Sequence, residues 1–321
     1  MHLGSFIIAL KRHSVLREPA FIKTNPDVAR GSLDVQKYPW GIFVHTRLWH
    51  CRVVVYMQTQ TIKTCTFEME YFRFGHGKEA LVILPGLSVQ SVMCFADAVA
   101  QAYKPLTDDF SIFVLDRRKD LPPTYSVRDM ASDTAAALQE LGLDRICLMG
   151  ASQGGMIAME VAAEHPGLVR KLVLCSTSAC MTQDRFAVVE KWIELAKAGD
   201  AAGLYSAFGE AIYTQETFEM LRGFLAEGAA ALTDDDLARF VTLAEGMKHF
   251  DITDDLHVID CPVLLIGSRD DKILGPDATA QIFERLGKNP QSALHMYDNY
   301  GHAAYDTAPD FKERVLRFLL Q

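Results

Sequence analysis

Residues 145–161 read RICLMGASQGGMIAMEV: an apolar run, a cluster of small residues around a serine, and a second apolar run. The first run has the composition of a buried strand, and the second, rich in Ala and Met, is typical of a helix. The chain must turn sharply between them, and Gly150 and Gly154 leave room for the backbone to approach closely. The pattern therefore predicts that Ser152 presents its hydroxyl at the N-terminus of a helix.

Gly150, Ser152 and Gly154 form the pattern G-x-S-x-G in the strand–turn–helix context that places a nucleophilic serine on a tight turn. A glycine-rich turn without any chemistry also produces this pattern. A serine hydroxyl is inert without a base and a group that orients the base, so the interpretation depends on finding both elsewhere in the chain.

The candidate base is His302, in the segment NYGHAA directly after an apolar run at 293–297. Of the ten histidines, it alone follows a predicted strand within a loop of glycine and small residues. The candidate acid lies in GSRDDK at 267–272, after the run at 263–266. We predict that Asp270 orients His302, while Asp271, which suits a cap of the following turn, stays open as the alternative.

Short apolar runs alternate with amphipathic stretches along most of the chain, which is typical of a parallel sheet covered on both faces. The runs are at 81–84, 111–115, 145–149, 171–174, 263–266 and 293–297. Helix candidates lie near 89–103, 127–141, 153–164, 276–286 and 309–319, and alternation at 64–74 indicates a strand or hairpin. The predicted fold class is α/β, with a mostly parallel, doubly wound sheet.

Residues 182–250 interrupt this rhythm. No proline occurs between Pro166 and Pro262, and apolar residues recur there at helical spacing. We predict an all-helical cap of about four helices at 182–250, inserted into a core formed by 57–181 and 251–321.

The first 56 residues differ in charge from the rest of the chain. They hold eight Lys or Arg and three Asp or Glu, whereas the whole chain has a net charge of −9. We predict an N-terminal extension at 1–56. Three interpretations remain open: a poorly ordered segment, a wrongly assigned translation start, or an ordinary decoration packed on the domain.

Composition excludes several classes of protein. The 321 residues are 49% hydrophobic, as in globular proteins, and the acidic balance without basic runs argues against nucleic acid or an anionic membrane as partner. Seven cysteines without a C-x-x-C spacing indicate reduced thiols in a cytoplasmic protein. The sequence contains neither a phosphate-binding glycine loop nor a dinucleotide or metal motif, so we expect no cofactor.

The order Ser152, Asp270, His302, each after a predicted strand, resembles that of the α/β-hydrolase superfamily, and the resemblance extends over about 62–321. The segments LPGLS at 84–88 and CPVLLIG at 261–267 are also similar to those of the superfamily. The resemblance implies an oxyanion hole formed by the backbone N–H groups of Leu87 and Gln153.

Two features separate the chain from some relatives. Where many members carry D-x-R-G-x-G-x-S, residues 116–120 read DRRKD, in what we expect to be a loop at the rim of the pocket. A serine at position 152 excludes the haloalkane dehalogenases and epoxide hydrolases of this superfamily, which use aspartate there.

These observations predict a cofactor-independent serine hydrolase that acts on small to medium apolar carboxylic esters or related acyl compounds. The many aromatic and Met residues of the predicted cap favour an apolar acyl group. A C–C bond hydrolase, an acyltransferase or thioesterase, and a ligand receptor that retains the triad remain alternatives. The partner we expect is a small acyl substrate, and the oligomeric state is left open.

Overall fold

An eight-stranded sheet runs through the part of the chain that the computed structural model describes, residues 57–286 and 290–321. The predicted extension at 1–56 lies outside these residues. The strands are β1 (Thr59–Lys63), β2 (Glu68–Phe74), β3 (Glu79–Leu84), β4 (Phe110–Arg118), β5 (Ile146–Ala151), β6 (Val169–Cys175), β7 (Val263–Ser268) and β8 (Ala293–Tyr297). Their order in the sheet is β1-β2-β4-β3-β5-β6-β7-β8. The hairpin β1–β2 and the pair β2–β4 are antiparallel, and the other pairs are parallel, so the predicted fold class is confirmed.

The strands are apolar on both sides because both faces of the sheet are covered. In β3, Val82 and Leu84 belong to one buried cluster, whereas Leu81 and Ile83 belong to a second cluster on the opposite face. This arrangement explains why the sequence shows continuous apolar runs instead of alternation, as parallel sheets usually do.

Helices cover the sheet and form the insertion. In the described residues they are α1 (Ala96–Ala102), α2 (Val127–Glu140), α3 (Gln153–Glu164), α4 (Gln183–Lys197), α5 (Ala201–Ile212), α6 (Gln215–Ala230), α7 (Asp234–Glu245), α8 (Ala278–Arg285), α9 (Ala304–Thr307) and α10 (Phe311–Leu320). None of these helices combines the length and the apolarity that crossing a bilayer requires.

Four of these helices, α4 to α7, lie between β6 and β7, and we refer to them as the cap. Each begins after a residue whose side chain accepts a hydrogen bond from the amide of the third residue along, which satisfies an otherwise free N–H group of the first turn. These N-terminal residues are Thr182, Asp200, Thr214 and Thr233.

The two ends of the cap are held side by side. Cys180 and Asp251 form an antiparallel bridge, with hydrogen bonds from Met181 N to Phe250 O at 2.8 Å and from Ile252 N to Ala179 O at 2.9 Å. Because both connections leave the core at one place, the cap is attached to the sheet through a short two-stranded stem.

One expectation about the core is wrong. We expected residues 116–120 to form a loop at the rim of the pocket, but β4 continues through Arg118. The Arg117 side chain is only 3% exposed, so it points into the protein instead of into solvent.

Candidate active site

The turn between β5 and α3 holds Ser152 in a strained conformation. Its φ angle of 51° lies in the left-handed region, which non-glycine residues rarely adopt. The neighbours have no room for side chains, since a Cβ on Gly150 would lie 2.2 Å from Gly154 O, and one on Gly154 would lie 2.1 Å from Leu84 O. The small residues of the motif are therefore a steric requirement of the turn, as the sequence predicts.

The serine and the histidine meet at one cavity. Ser152 is 9% exposed and His302, in the loop between β8 and α9, is 1% exposed, and both line the same cavity. The structure thus brings the predicted nucleophile and the predicted base together at the carboxyl ends of the strands, where ligands bind in open α/β sheets.

The carboxylate beside His302 belongs to Asp271, which corrects the prediction for Asp270. Asp271 Oδ2 accepts a hydrogen bond from His302 Nδ1 at 2.8 Å, and the aspartate is only 6% exposed. The other oxygen, Oδ1, accepts the amides of Ile273 at 2.9 Å and Leu274 at 3.1 Å. Asp271 therefore caps the following turn, as expected, and also orients the histidine.

Asp270 contributes in a different way, through the backbone of the histidine loop. Its Oδ1 accepts the amide of Asn299 at 3.1 Å and the hydroxyl of Ser268, while its Oδ2 accepts the amide of Gly301 at 2.9 Å. Two adjacent carboxylates thus face opposite ways: one contacts the imidazole of His302, and the other fixes the loop that carries it.

The surroundings of Asp271 favour its charged form. Burial by itself raises the pKa of the carboxyl, but the charge of His302, its hydrogen bond and the amides of Ile273 and Leu274 outweigh burial. The pKa of Asp271 is therefore lowered below its ordinary value. An ionised carboxylate at this position holds the proton of the imidazole on Nδ1 and leaves Nε2 free to accept one.

Residues 86 and 87 pass directly beside the serine. A Cβ on Gly86 would lie 3.2 Å from the Cβ of Ser152, and Leu87 lines the same cavity as the serine. Gln153 is the first residue of α3, where amides have no partner within the helix. Among the described residues, the backbone N–H groups of Leu87 and Gln153 have no protein acceptor, so both are free to bind an oxyanion.

The cavity over Ser152 is narrow and mostly apolar. Its lining residues are Leu87, Ser152, Val189, Trp192, Phe208, Ile212, Met247, Ile273, His302 and Tyr305. Its volume is about 10 Å³, roughly the room for one water molecule. Half of the wall comes from the insertion, including Trp192 and Phe208, whose rings pack 4.7 Å apart.

A larger groove of about 420 Å³ lies elsewhere, between the start of α2 and the end of the cap. Arg128 and Glu160, which form an ion pair at 3.5 Å, both line it. It includes neither Ser152 nor His302, so we assign the reactive site to the smaller cavity. In the described part of the chain, no three His, Cys, Asp or Glu side chains are close enough together to hold a metal ion.

Two further residues reach the site that the sequence analysis did not single out. Tyr305 lines the cavity, and its ring centroid lies 6.3 Å from that of His302. Arg117 donates hydrogen bonds to Pro85 O at 2.8 Å and to Gln153 Oε1 at 3.0 Å. The sequence does show this arginine close behind the apolar run at 111–115, which would have suited a longer strand. The resemblance to the superfamily led us to place the arginine in a loop instead.

The sequence of residues 79–309 matches the family model of the α/β-hydrolase fold. The chain therefore belongs to this family and is a hydrolase of the α/β-hydrolase fold. It is 29% identical over 268 residues to the putative carbamate hydrolase RutD of Pseudomonas savastanoi pv. phaseolicola, covering 78% of this chain and 97% of that protein. It is also 25% identical to the mouse serine hydrolase BPHL over 266 residues, covering 79% of this chain and 83% of that protein.

Solved structures show the same fold. MGS-M2, an α/β-hydrolase from a Medee basin deep-sea metagenome library, has a TM-score of 0.73 at 22% identity, covering 82% of this chain and 98% of that one. The enol-lactonase of Burkholderia xenovorans LB400 has a TM-score of 0.70 at 18% identity, covering 82% of this chain and all of that one. At these identities the likeness concerns the fold alone.

Proposed function

We propose that the protein is a serine hydrolase of apolar carboxylic esters, with Ser152, His302 and Asp271 as its catalytic triad. The observation that carries this proposal is the 2.8 Å hydrogen bond between the buried Asp271 and His302, at a cavity that His302 shares with the strained Ser152. A nucleophile, a base and a group that orients the base are the three parts that acyl transfer requires.

The reaction has two halves. The Ser152 oxygen bonds to the ester carbonyl carbon while its proton passes to Nε2 of His302, and the amides of Leu87 and Gln153 bind the resulting oxyanion. When the tetrahedral intermediate collapses, the C–O bond of the ester breaks and the alcohol leaves with the proton from His302. Water then attacks the acyl-enzyme with the same assistance, releases the carboxylic acid and restores the serine.

The wall of the cavity supports an apolar acyl group. Apart from Ser152, His302 and Tyr305, the residues that line it are hydrophobic, and none of them carries a fixed charge. Such a surface favours alkyl or aryl groups over sugars and polyanions. Because the free volume is only about 10 Å³, an acyl chain enters after the cap moves or its side chains rearrange.

Covalent labelling tests the nucleophile. A fluorophosphonate probe should label the wild-type protein, and Ser152→Ala should abolish both the labelling and the turnover of p-nitrophenyl butyrate. Ser88→Ala is the matched control, since this nearby serine bonds to Gln90 O and lies outside the lining of the cavity. Undiminished labelling of a folded Ser152→Ala variant would assign the nucleophile to another residue.

A series of esters tests the substrate class. Each buried CH₂ contributes up to about 0.8 kcal/mol, so kcat/KM should rise about three- to fourfold per CH₂ from acetate through butyrate to hexanoate, until the pocket is full. If acetate were the best substrate by tenfold or more, the apolar pocket would be contradicted. Acylation in a single turnover without further turnover would instead favour a ligand receptor.

Carbamate hydrolysis is the second candidate, favoured by the similarity to the putative carbamate hydrolases over most of their length. The same triad chemistry can act on a carbamate carbonyl. An aryl carbamate matched in size to p-nitrophenyl butyrate separates the two functions, and a higher kcat/KM for the carbamate would replace the ester proposal.

A further inference from the structure

Arg117 is a buried cation, and the neighbouring Asp116 acts on its guanidinium only through its charge, since that carboxylate pairs with Arg239. Arg117 is 3% exposed, and in the described part of the chain its guanidinium forms no ion pair within 4.0 Å. Burial lowers the pKa of this guanidinium to about 10, so it stays charged at neutral pH. Among the same residues, its Nε has no hydrogen-bond partner. Burying a charge is costly, and an apolar side chain of similar size would serve packing better.

The guanidinium bonds to two segments that meet at the reactive serine. Its Nη2 atom donates to both Pro85 O at 2.8 Å and Gln153 Oε1 at 3.0 Å. Pro85 precedes Leu87 by two residues, and Gln153 directly follows Ser152. A single nitrogen of Arg117 therefore connects the two segments whose amides are the candidate oxyanion donors.

The same network reaches the cap. Gln153 Nε2 donates to Leu243 O on α7 at 2.7 Å. One turn earlier on that helix, Arg239 donates to Arg118 O at 2.8 Å and forms an ion pair with Asp116 at 3.2 Å. Helix α7 thus docks on the end of β4 through Arg239 and on the start of α3 through the side chain of Gln153.

We propose that Arg117 is a positioning residue that fixes the distance between the amides of Leu87 and Gln153, and that the Gln153 side chain makes this positioning depend on the docking of α7. This inference rests on the proposed function. An oxyanion hole accelerates acyl transfer only when its donors are aligned before the charge develops. The fixed positive charge of Arg117 near both segments also favours that developing negative charge in a dry site.

The positioning role predicts an effect on the transition state and a much smaller one on substrate binding. In Arg117→Met, kcat for p-nitrophenyl butyrate should fall about tenfold or more, while KM changes by less than about threefold. A butyl trifluoromethyl ketone forms a tetrahedral oxyanion adduct with the serine, so its inhibition constant should rise by the same factor as kcat/KM falls.

Gln153→Met provides a second, independent variant, because it removes the side-chain link and retains the backbone amide. The double variant should be little slower than the slower single variant, since both changes break one connection. Arg118→Met is the matched control. Its guanidinium donates to Asp120 O and Thr66 O and forms an ion pair with Asp133 at 3.5 Å, and none of these residues lines the cavity over the reactive serine. We therefore expect kcat and ketone affinity to stay within about twofold of wild type.

The outcomes are distinguishable once thermal unfolding has shown that the variants are folded. Unchanged kcat and ketone affinity in Arg117→Met, or a change in KM alone, would overturn the positioning role. If Arg117→Met does not fold, Gln153→Met decides by the same criteria. A wild-type protein that neither hydrolyses esters nor reacts with the fluorophosphonate would overturn the proposed function and this inference with it. A labelled, active wild type with unaffected variants would overturn this inference alone.

Discussion

Asp271 uses the two oxygens of its carboxylate for different tasks. One orients His302, and the other accepts the amides of Ile273 and Leu274, which locks the carboxylate against rotation. Asp270 holds the amides of Asn299 and Gly301 instead. Asp271→Asn should therefore lower kcat by about three to four orders of magnitude, because the wrong tautomer of His302 becomes favoured.

Asp270→Asn is the matched change one residue away. An asparagine retains one acceptor oxygen, so the loop keeps part of its anchoring, and we expect kcat to fall by no more than about tenfold. Steady-state kinetics of the two folded variants with p-nitrophenyl butyrate makes the comparison. If Asp270→Asn were the slower enzyme, the orienting role would return to Asp270.

The lowered pKa of Asp271 links stability to pH. Its ordinary value is 3.8, and the folded protein holds the pKa below that, so ionisation stabilises the folded state at pH values above 3.8. This contribution is lost as pH falls through the lowered folded value, where both states bind the proton. The difference in unfolding free energy between wild type and Asp271→Asn, measured in urea, should shrink as the pH falls below about 4. A difference that grows as pH falls would contradict this assignment.

Residue identity could be predicted where sterics or chain order restrict the choice. Ser152 follows from the small neighbours that its turn requires, and His302 follows from its place after the last strand. The choice between Asp270 and Asp271 depends on side-chain directions in an irregular loop, which no periodicity encodes. Arg117 was missed because its buried position depends on β4 extending to Arg118, and strand ends are poorly defined by apolar runs.

Each helix of the cap has a side-chain hydrogen bond at its first turn. Helix α7 begins with a capping box in which Thr233 accepts the amide of Asp236 and Asp236 accepts the amide of Thr233. The same helix carries Leu243, which accepts a hydrogen bond from Gln153 next to Ser152, and Arg239, which contacts the end of β4. Weakening the start of α7 therefore affects the part of the cap that docks on the site.

Thr233→Ala should lower the free energy of unfolding by about 1 kcal/mol, because the amide of Asp236 loses its acceptor. Urea denaturation measures this loss. Thr233→Ser retains the hydroxyl and serves as the control, with an expected change within about 0.5 kcal/mol. Equal losses in the two variants would mean that the methyl group of Thr233, and not the cap, accounts for the effect.

Element positions were largely predictable because apolar runs and helical spacing are local properties. All six runs became strands β3 to β8, and the alternation at 64–74 became β2 with the preceding turn of the hairpin. The last helix candidate, 309–319, became α10, whereas the short helix α9, which ends before the extended Ala308, was not predicted. Strand order, by contrast, could not be predicted from local patterns. Strand β4 lies between β2 and β3, and this position depends on how the connections between strands pack against the sheet.

At the scale of the whole molecule, the site is assembled from segments that are distant in sequence. Leu87, Ser152, Asp271 and His302 follow β3, β5, β7 and β8, whose carboxyl ends meet at one edge because these strands are parallel. The wall opposite them comes from the cap. The proposed reaction therefore requires the carboxyl ends of these strands to be in register, and the cap residues that line the cavity contribute to the proposed choice of substrate.

The described residues, 57–286 and 290–321, already supply an eight-stranded sheet, the cap and the candidate site, so a protein comprising 57–321 should fold and retain activity. The family match begins at residue 79, and the hairpin β1–β2 forms one edge of the described sheet. We expect kcat/KM for p-nitrophenyl butyrate within about threefold of the full-length value and a comparable urea midpoint. Full-length protein prepared in parallel is the control. Insoluble or inactive 57–321 protein would show that residues 1–56 are integral to the fold, and retention of both properties would confine catalysis to the described part of the chain.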